Sequence, residues 1–187
     1  MGLRSGEKPA TLRGMMLAER WRGDDCAGWW LAEKFDGVRA FWDGAILRTR
    51  TWREIHAPAW FLAALPAGVA LDGELFGGYG TLSVASDLSR FWRADDPRWR
   101  QFTFRAFDWP TTEAVAFERR VEQLTPLANE ILQPVQLRRC EGAEDAQRSL
   151  AAVVAAGGEG LMLKRPGHCY EFGRSRAWLK VKPVGVE

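Results

Sequence analysis

Charged side chains stand two positions apart in three short segments that are otherwise apolar. These pairs are Lys34 with Asp36, Asp72 with Glu74, and Lys180 with Lys182. Residues two apart on a strand lie on the same face of a sheet, and a buried charge is costly unless it meets a partner or a ligand. Any single pair favours a structural salt bridge. Several together predict a polar cleft lined by strands, with Glu159 at the mouth of a fourth strand over residues 160–164.

Lys34 is the member of this set best suited to nucleophilic attack. A lysine attacks as the neutral amine, although the unperturbed side-chain pKa is about 10.4. Neighbouring cations and partial burial favour the neutral form, and Lys180 and Lys182 are candidate neighbours. Glu159, with a contribution from Glu74, would supply the hard carboxylate oxygens that Mg²⁺ prefers.

The elements that must position these residues mix strands and helices without regular alternation, which predicts an α+β fold and not a doubly wound sheet. We expect strands over residues 31–42 (bent at Gly37), 45–50, 69–76, 102–107, 160–164 and 178–182. We expect helices over residues 57–65, 81–93, 113–124 and 144–156. Asp43-Gly44 predicts a hairpin turn, and Gly157-Gly158 ends the last helix.

The length of 187 residues and the 47% hydrophobic content predict one globular domain over residues 15–183. Residues 1–14 are expected to form a loose tail, and residues 184–187 the start of a linker. The three cysteines are widely spaced, which argues against a disulfide framework or a structural zinc site. No segment resembles a signal peptide or a membrane span, so we expect the chain as given to be cytoplasmic, or periplasmic if a leader was removed.

The basic residues are clustered, although the net charge is only +2. Residues 164–182 hold six basic side chains against one acidic one. A second cluster of five arginines lies within residues 90–105, interleaved with Phe91, Trp92 and Trp99. Such a pattern fits a surface that follows a phosphate backbone, whereas a charge run taken alone favours a solvated face.

The segment Lys34-Phe35-Asp36-Gly37-Val38-Arg39 resembles the Lys-x-Asp-Gly-x-Arg signature of the covalent nucleotidyltransferases. This superfamily comprises ATP-dependent DNA ligases, RNA ligases and mRNA capping enzymes. Five later segments resemble its other motifs in the same order: Arg50 in Thr49-Arg50-Thr51, Asp72-Gly73-Glu74, Phe107-Asp108, Glu159-Gly160-Leu161-Met162, and Lys180-Val181-Lys182. The segments between them, including residues 32–44, 55–61, 157–166 and 173–183, are similar to the small bacterial ligases of the ligase E type.

The resemblance implies an ATP-grasp-like adenylation fold, with antiparallel sheets flanked by helices and a nucleotide cleft between them. It implies an ATP-dependent DNA ligase that uses Mg²⁺ or Mn²⁺, acts on nicked double-stranded DNA as a monomer, and serves DNA repair, recombination or replication. Lys34 would form lysyl-AMP, AMP would pass to the 5′-phosphate at a nick, and the 3′-hydroxyl would displace it.

The resemblance also assigns residues to roles. Lys34 is the catalytic residue. The expected cofactor-binding residues are Glu33, Lys34, Arg39, Glu74, Phe107, Lys180 and Lys182. The expected metal ligands are Glu159 and Glu74. The expected DNA-binding residues are Arg39, Arg50, Trp52, Arg53, Lys164 and Arg174.

Two features depart from the family pattern. The arginine motif usually carries a glycine shortly after its arginine, whereas Thr51 is followed here by Trp52 and Arg53. Trp52 could alter the approach of this loop to DNA or supply a stacking surface. The sequence also stops soon after the fifth motif, where ligases continue into an OB-fold domain. We therefore expect an isolated adenylation domain with impaired self-adenylation and DNA affinity. The alternatives are an RNA ligase and a nick-binding module with little activity.

Overall fold

Ten strands and four helices make up the part of the chain that this computed structural model describes, residues 15–183. The strands are β1 (Met16–Arg20), β2 (Trp30–Lys34), β3 (Val38–Trp42), β4 (Leu47–Thr49), β5 (Leu71–Phe76), β6 (Thr103–Asp108), β7 (Leu132–Pro134), β8 (Arg138–Arg139), β9 (Gly160–Lys164) and β10 (Gly173–Val181). The helices are α1 (Ala59–Leu62), α2 (Leu82–Arg90), α3 (Phe117–Glu122) and α4 (Ala143–Ala155). The predicted tail 1–14 and linker 184–187 lie outside the described residues.

The strands form two five-stranded sheets. Sheet A has the order β1-β10-β9-β2-β8, and sheet B has the order β4-β3-β5-β6-β7. The α+β class is confirmed. The expected antiparallel pairing holds for most neighbours, but β1 pairs with β10 and β6 with β7 in parallel, so both sheets are mixed. A parallel pair needs a long connection, and α3 lies within the one between β6 and β7. None of the helices within residues 15–183 has the length and apolarity needed to cross a membrane.

The predicted strand over residues 31–42 is in fact two strands in different sheets. β2 pairs with β9 in sheet A, and β3 pairs with β5 in sheet B. Gly37 lies at the crossing, where a Cβ atom would overlap the carbonyl oxygen of Leu75. Lys34 and Asp36 are therefore not neighbours on one strand face, and that part of the prediction is wrong. The crossing instead places Lys34 on one sheet and Arg39 on the other.

The apolar core lies mainly on the faces of the sheets that are turned away from each other. The largest cluster packs α2 against sheet B, around Trp99, Phe102 and Phe104. A second cluster packs Ala146 of α4 against Leu31 of β2 and its neighbours in sheet A. Because side chains alternate along a strand, burying Leu31 against α4 turns Lys34 toward the opposite face. The hydrophobic pattern of β2 thus directs the lysine into the space between the sheets.

Buried ionic groups join elements across that space. Asp72 accepts two hydrogen bonds from Arg39, at 3.0 and 2.7 Å, and one from the hydroxyl of Tyr170, at 2.6 Å. Asp108 accepts two hydrogen bonds from Arg120, at 2.7 and 3.1 Å. Both carboxylates are fully buried. Buried charges are tolerated only with such partners, because desolvation is otherwise uncompensated.

Candidate active site

A cleft of about 810 Å³ lies between the two sheets. Sheet A and its flanking residues contribute Ala32, Lys34, Met162, Trp178 and Lys180 to its walls, and sheet B contributes Val38, Arg39, Glu74 and Phe107. The structure therefore brings together the predicted catalytic lysine and most of the predicted cofactor-binding residues. The predicted polar cleft lined by strands is confirmed as a geometric feature.

Lys34 and Lys182 share one carboxylate, that of Glu159. Lys34 Nζ donates to Glu159 Oε2, and Lys182 Nζ donates to Glu159 Oε1 at 2.7 Å. Glu159 reaches this position because Lys34 pairs with Gly160 across the antiparallel β2–β9 ladder. Burial raises the pKa of Glu159, but the hydrogen bonds from Lys182 and Lys34 more than offset it and hold that pKa below its usual range. The Glu159 carboxylate is therefore ionised and forms ion pairs with both lysines.

These ion pairs distinguish the roles expected of Lys180 and Lys182. Lys182 is the neighbour of Lys34 through Glu159, whereas Lys180 lies on β10 opposite Met162 and lines the cleft. An ammonium group held by a carboxylate has no free lone pair. Lys34 must therefore lose a proton before it can attack an electrophile.

An aromatic wall joins the two sides of the cleft, with Phe107 on sheet B and Trp178 on sheet A. The rings of Phe107 and Trp178 meet edge to face, with centroids 5.7 Å apart. The guanidinium of Arg39 lies 5.4 Å from the centroid of Phe107 and 5.6 Å from that of Trp178. Met162 lines the same cleft from sheet A. A planar base inserted between Phe107 and Met162 would gain stacking on one side and a polarizable thioether on the other.

Glu74 lies beside Arg39 in the β3–β5 register, inside the cleft. Burial raises the pKa of Glu74 to about 8, and the nearby positive charges of Lys34 and Arg39 only partly oppose this effect. The carboxyl group therefore keeps its proton at neutral pH in the unliganded protein. A protonated carboxyl both donates and accepts hydrogen bonds, which suits a sugar hydroxyl better than it suits a metal ion.

This titration predicts a pH-dependent stability. Between pH 6.5 and 8 the folded protein holds the Glu74 proton while the unfolded chain has lost it, so the free energy of unfolding should fall as pH rises, by up to about 1.4 kcal/mol per pH unit. The measurement is urea unfolding at closely spaced pH values. His168, whose pKa burial lowers to about 4, acts mainly below that window, and Lys164, whose pKa burial lowers to about 8, opposes the slope near its upper end. Glu74→Gln should remove most of the slope, and an unchanged slope in that variant would refute the assignment.

The arginines predicted to bind DNA line the outer part of the cleft. Arg50, Arg53 and Arg174 all contribute to its walls. Arg53 donates to the carbonyl oxygen of Arg90 at 3.1 Å, and Arg174 donates to that of Ala18 at 3.1 Å. The cations are thus positioned at the cleft, and their contacts with DNA stay a prediction.

Trp52 occupies an unusual backbone conformation. Its φ of 69° is positive, and it is the one non-glycine residue with positive φ in the described part of the chain. A non-glycine residue in the left-handed region costs roughly 1–2 kcal/mol, which accounts for the glycine common in this family's motif. The indole ring packs against Phe41, with centroids 5.1 Å apart, and lies 5.7 Å from the Arg48 guanidinium. These contacts offset the strain and turn the ring toward the protein.

Lys164, a further member of the predicted DNA-binding set, is largely buried. Its side chain is 2% exposed, and Nζ donates to the carbonyl oxygen of Phe107 at 2.8 Å. Three rings enclose the ammonium group, with centroids 4.3 Å (Trp178), 4.8 Å (Phe107) and 4.9 Å (Phe117) away. Burial lowers the pKa of Lys164 to about 8. Lys164 borders the cleft with its ammonium group held against these rings, and its predicted contact with DNA stays a prediction.

Glu33 borders the cleft next to Lys34, but strand alternation turns its carboxylate toward α4. A Cβ atom added to Gly158 would lie 3.3 Å from Glu33 Oε1. Its predicted cofactor contact stays a prediction. Sequence reasoning missed Met162, Trp178 and the α2 residue Arg90 as lining residues. Arg90 was visible as part of the arginine cluster, whereas the two apolar residues gave no signal that distinguishes a cleft wall from a core.

Comparison with known proteins agrees with this geometry. The family model for the ATP dependent DNA ligase domain matches residues 109–182. A DNA ligase of Haemophilus influenzae is 30% identical over 179 residues, which cover 92% of this chain and 65% of the relative. The solved structure of a Lig E DNA ligase superposes with a TM-score of 0.84 at 34% identity, covering 91% of this chain and 68% of that one. The ligase domain of LigD from M. tuberculosis gives a TM-score of 0.67 at 28% identity, covering 90% and 60%.

The chain therefore belongs to the ATP-dependent DNA ligase family, as a nucleotidyltransferase domain. Within that family it is similar to the Lig E enzymes. The chain spans about two thirds of the length of the relatives that it matches over most of its own length, 65% of the curated one and 68% of the Lig E structure.

Proposed function

We propose that this chain is the catalytic, adenylating part of an ATP-dependent DNA ligase. The observation that carries the proposal is the placement of Lys34 in the cleft, beside a carboxylate that it shares with Lys182. A cleft of about 810 Å³ has room for a nucleotide, and its walls offer stacking surfaces and cations. Sequence identity of 30% and 34% to two DNA ligases, over nearly the whole of this chain, supports the same activity.

In the proposed reaction the Nζ of Lys34 attacks the α-phosphorus of ATP. A P–N bond forms, the bond from the α-phosphorus to the bridging oxygen breaks, and pyrophosphate leaves with the bonding electrons. Lys180 and Lys182 would compensate the negative charge that gathers on the phosphate oxygens. A DNA 5′-phosphate then takes AMP from Lys34, and a 3′-hydroxyl displaces AMP to form the phosphodiester.

Mg²⁺ or Mn²⁺ is the proposed metal, with Glu159 and Glu74 as candidate ligands. No three His, Cys, Asp or Glu side chains converge on a metal position within residues 15–183. Mg²⁺ commonly binds through one or two carboxylates together with substrate phosphates, so the ionised Glu159 fits a metal that arrives with ATP, whereas Glu74 would first have to lose its proton. The bound metal would neutralise phosphate charge and favour departure of pyrophosphate.

The remaining cleft residues would orient the two substrates. Phe107 would stack on adenine, a type of contact worth roughly 1–3 kcal/mol. Glu74 and Arg39 lie where ribose hydroxyls could bind, and Arg50 would hold the 5′-phosphate through its planar fork. We propose nicked double-stranded DNA as the substrate. An RNA ligase is the alternative, which the matches to DNA ligases disfavour.

The test is a mass measurement of the purified chain after incubation with ATP and Mg²⁺. We expect a mass increase of one AMP, mapped to the peptide that contains Lys34. Nicked DNA and nicked RNA duplexes, offered in parallel, should show sealing of the DNA. A pre-adenylated DNA nick should be sealed without ATP. If no AMP adduct forms at any ATP concentration and the pre-adenylated nick stays open, the proposed activity is refuted.

A further inference from the structure

Two large aromatic side chains lie in solvent directly after α2. Trp92 is 77% exposed and Phe91 is 56% exposed. Single exposed apolar residues are ordinary on a protein surface, whereas adjacent ones form a patch of the kind that marks interaction sites. The Trp92 ring stacks on the ring of His56, with centroids 4.4 Å apart and planes inclined by 9°. The two stacked rings form a flat aromatic surface in which His56 supports Trp92, and we call this surface the Trp92–His56 platform.

The platform is continuous with the rim of the cleft. Arg90, at the end of α2, lines the cleft together with Arg53 and Arg50. The hydrogen bond from Arg53 to the carbonyl oxygen of Arg90 ties the loop that carries Arg50 to the start of the aromatic pair. Arg93 adds a guanidinium 5.6 Å from the Phe91 ring centroid. Aromatic rings and arginines therefore alternate along one path leading out of the cleft.

Several arginines of this path have no acidic partner within residues 15–183, although acidic residues, including the exposed Asp95, lie in the same segment. Asp87 pairs with Arg98 at 2.6 Å and with Arg93 at 3.7 Å. The Nδ1 atom of His56 lies 3.4 Å from Oε1 of Glu54. Among the described residues no ion pair involves Arg50, Arg53 or Arg90, which leaves three cations to meet an external anion. A polyanion carrying planar groups is complementary to this surface in both charge and shape.

We propose that the Trp92–His56 platform stacks on an unpaired nucleobase of the DNA strand that leaves the cleft, while the rim arginines hold the adjoining phosphates. This inference rests on the proposed function and specifies the form of the DNA. A continuous duplex presents no free base face, whereas a gap or an overhang beside the joint does. Single-stranded DNA is bound in this way by aromatic rings interleaved with cations. The platform thus favours joints flanked by unpaired bases over a simple nick.

The test compares three DNAs of the same sequence: a nicked duplex and a duplex with a short single-stranded gap, both with a 5′-phosphate at the break, and an intact duplex. Fluorescence anisotropy gives the dissociation constant of each. Trp92→Ala should weaken binding of the gapped DNA by about 5- to 150-fold and leave the nicked duplex within about twofold, and Trp92→Phe should restore most of the affinity. Trp60→Ala is the matched control, since Trp60 is 42% exposed on α1 and does not line the cleft.

Two binding results would each overturn the inference. Equal weakening of all three DNAs by Trp92→Ala would show a contact with duplex sugar or phosphate and overturn the inference. Unchanged binding of the gapped DNA would overturn it as well. Thermal unfolding of each variant checks that the fold is intact. Failure of the proposed function is a different result, namely the lack of an AMP adduct in the wild-type chain, and the binding comparison is read without ATP.

Discussion

Replacing Lys34 by alanine is expected to abolish the AMP adduct, with a loss of roughly 10⁴-fold or more in AMP transfer, the scale seen when a catalytic nucleophile is removed. The reason is that Lys34 alone combines a place in the cleft with an amine next to Glu159 on the β2 side. Lys164 is enclosed by aromatic rings, and Lys182 lies beyond the carboxylate. The adduct is measured by intact mass after incubation with ATP and Mg²⁺.

A DNA nick that is already adenylated separates loss of the nucleophile from loss of the fold. Because joining at such a nick does not use the Lys34 amine, Lys34→Ala should still seal it in a single turnover. Lys182 provides an internal check, since it contacts the same glutamate. An adduct that persists in Lys34→Ala and maps to Lys182 would overturn the assignment of the nucleophile.

Replacing Arg120 by alanine is expected to lower the free energy of unfolding by about 3–5 kcal/mol, the usual cost of leaving a buried charge without its partner. Arg120 is 1% exposed and binds Asp108, which is fully buried. It also donates to the carbonyl oxygens of Val115, at 2.6 Å, and His168, at 2.8 Å. A domain is commonly stable by only about 5–15 kcal/mol, so this variant would lie close to its unfolding threshold.

The adjacent arginine offers a matched control. The Arg119 side chain is 76% exposed and pairs with Glu122 at 3.2 Å, and surface pairs of this kind contribute about 0–1 kcal/mol. Urea unfolding at pH 7 should therefore show Arg119→Ala close to wild type. Replacing Arg120 and Asp108 together by apolar residues should recover part of the loss, because no unpaired charge remains. A change below about 1 kcal/mol in Arg120→Ala would contradict the role assigned to this pair.

The sequence predicted the catalytic centre better than it predicted the path of the chain. Lys34 and Glu159 are 125 positions apart, and it was their place in an ordered set of family motifs that brought them together. Neither residue alone carried that information. Helix α4 and strand β9 were also foreseen closely, because helical periodicity and the glycines after the helix are local signals.

Features that depend on long-range pairing were not predictable. The strand pattern over residues 31–42 shows alternation but not the sheet to which each half belongs, and that is decided by the pairing of Trp30 with Lys164 and of Val38 with Leu75. β1 was missed for the same reason, since its partner is β10 near the other end of the chain. The burial of Lys164 was not predictable either, because a run of basic residues carries no record of which way each side chain faces.

The sharing of Glu159 by two lysines sets the charge of the nucleotide site at each stage of the proposed cycle. Two ammonium groups and one carboxylate carry one net positive charge in the free protein. Once AMP is attached, the Lys34 nitrogen is neutral and its phosphate is anionic, so the same group of side chains carries one net negative charge. Loading therefore lowers the charge of this group by two units, so the group attracts pyrophosphate less than it attracted the incoming triphosphate. Loading would in this way discourage its own reversal and leave the rim arginines as the nearest attraction for an incoming 5′-phosphate.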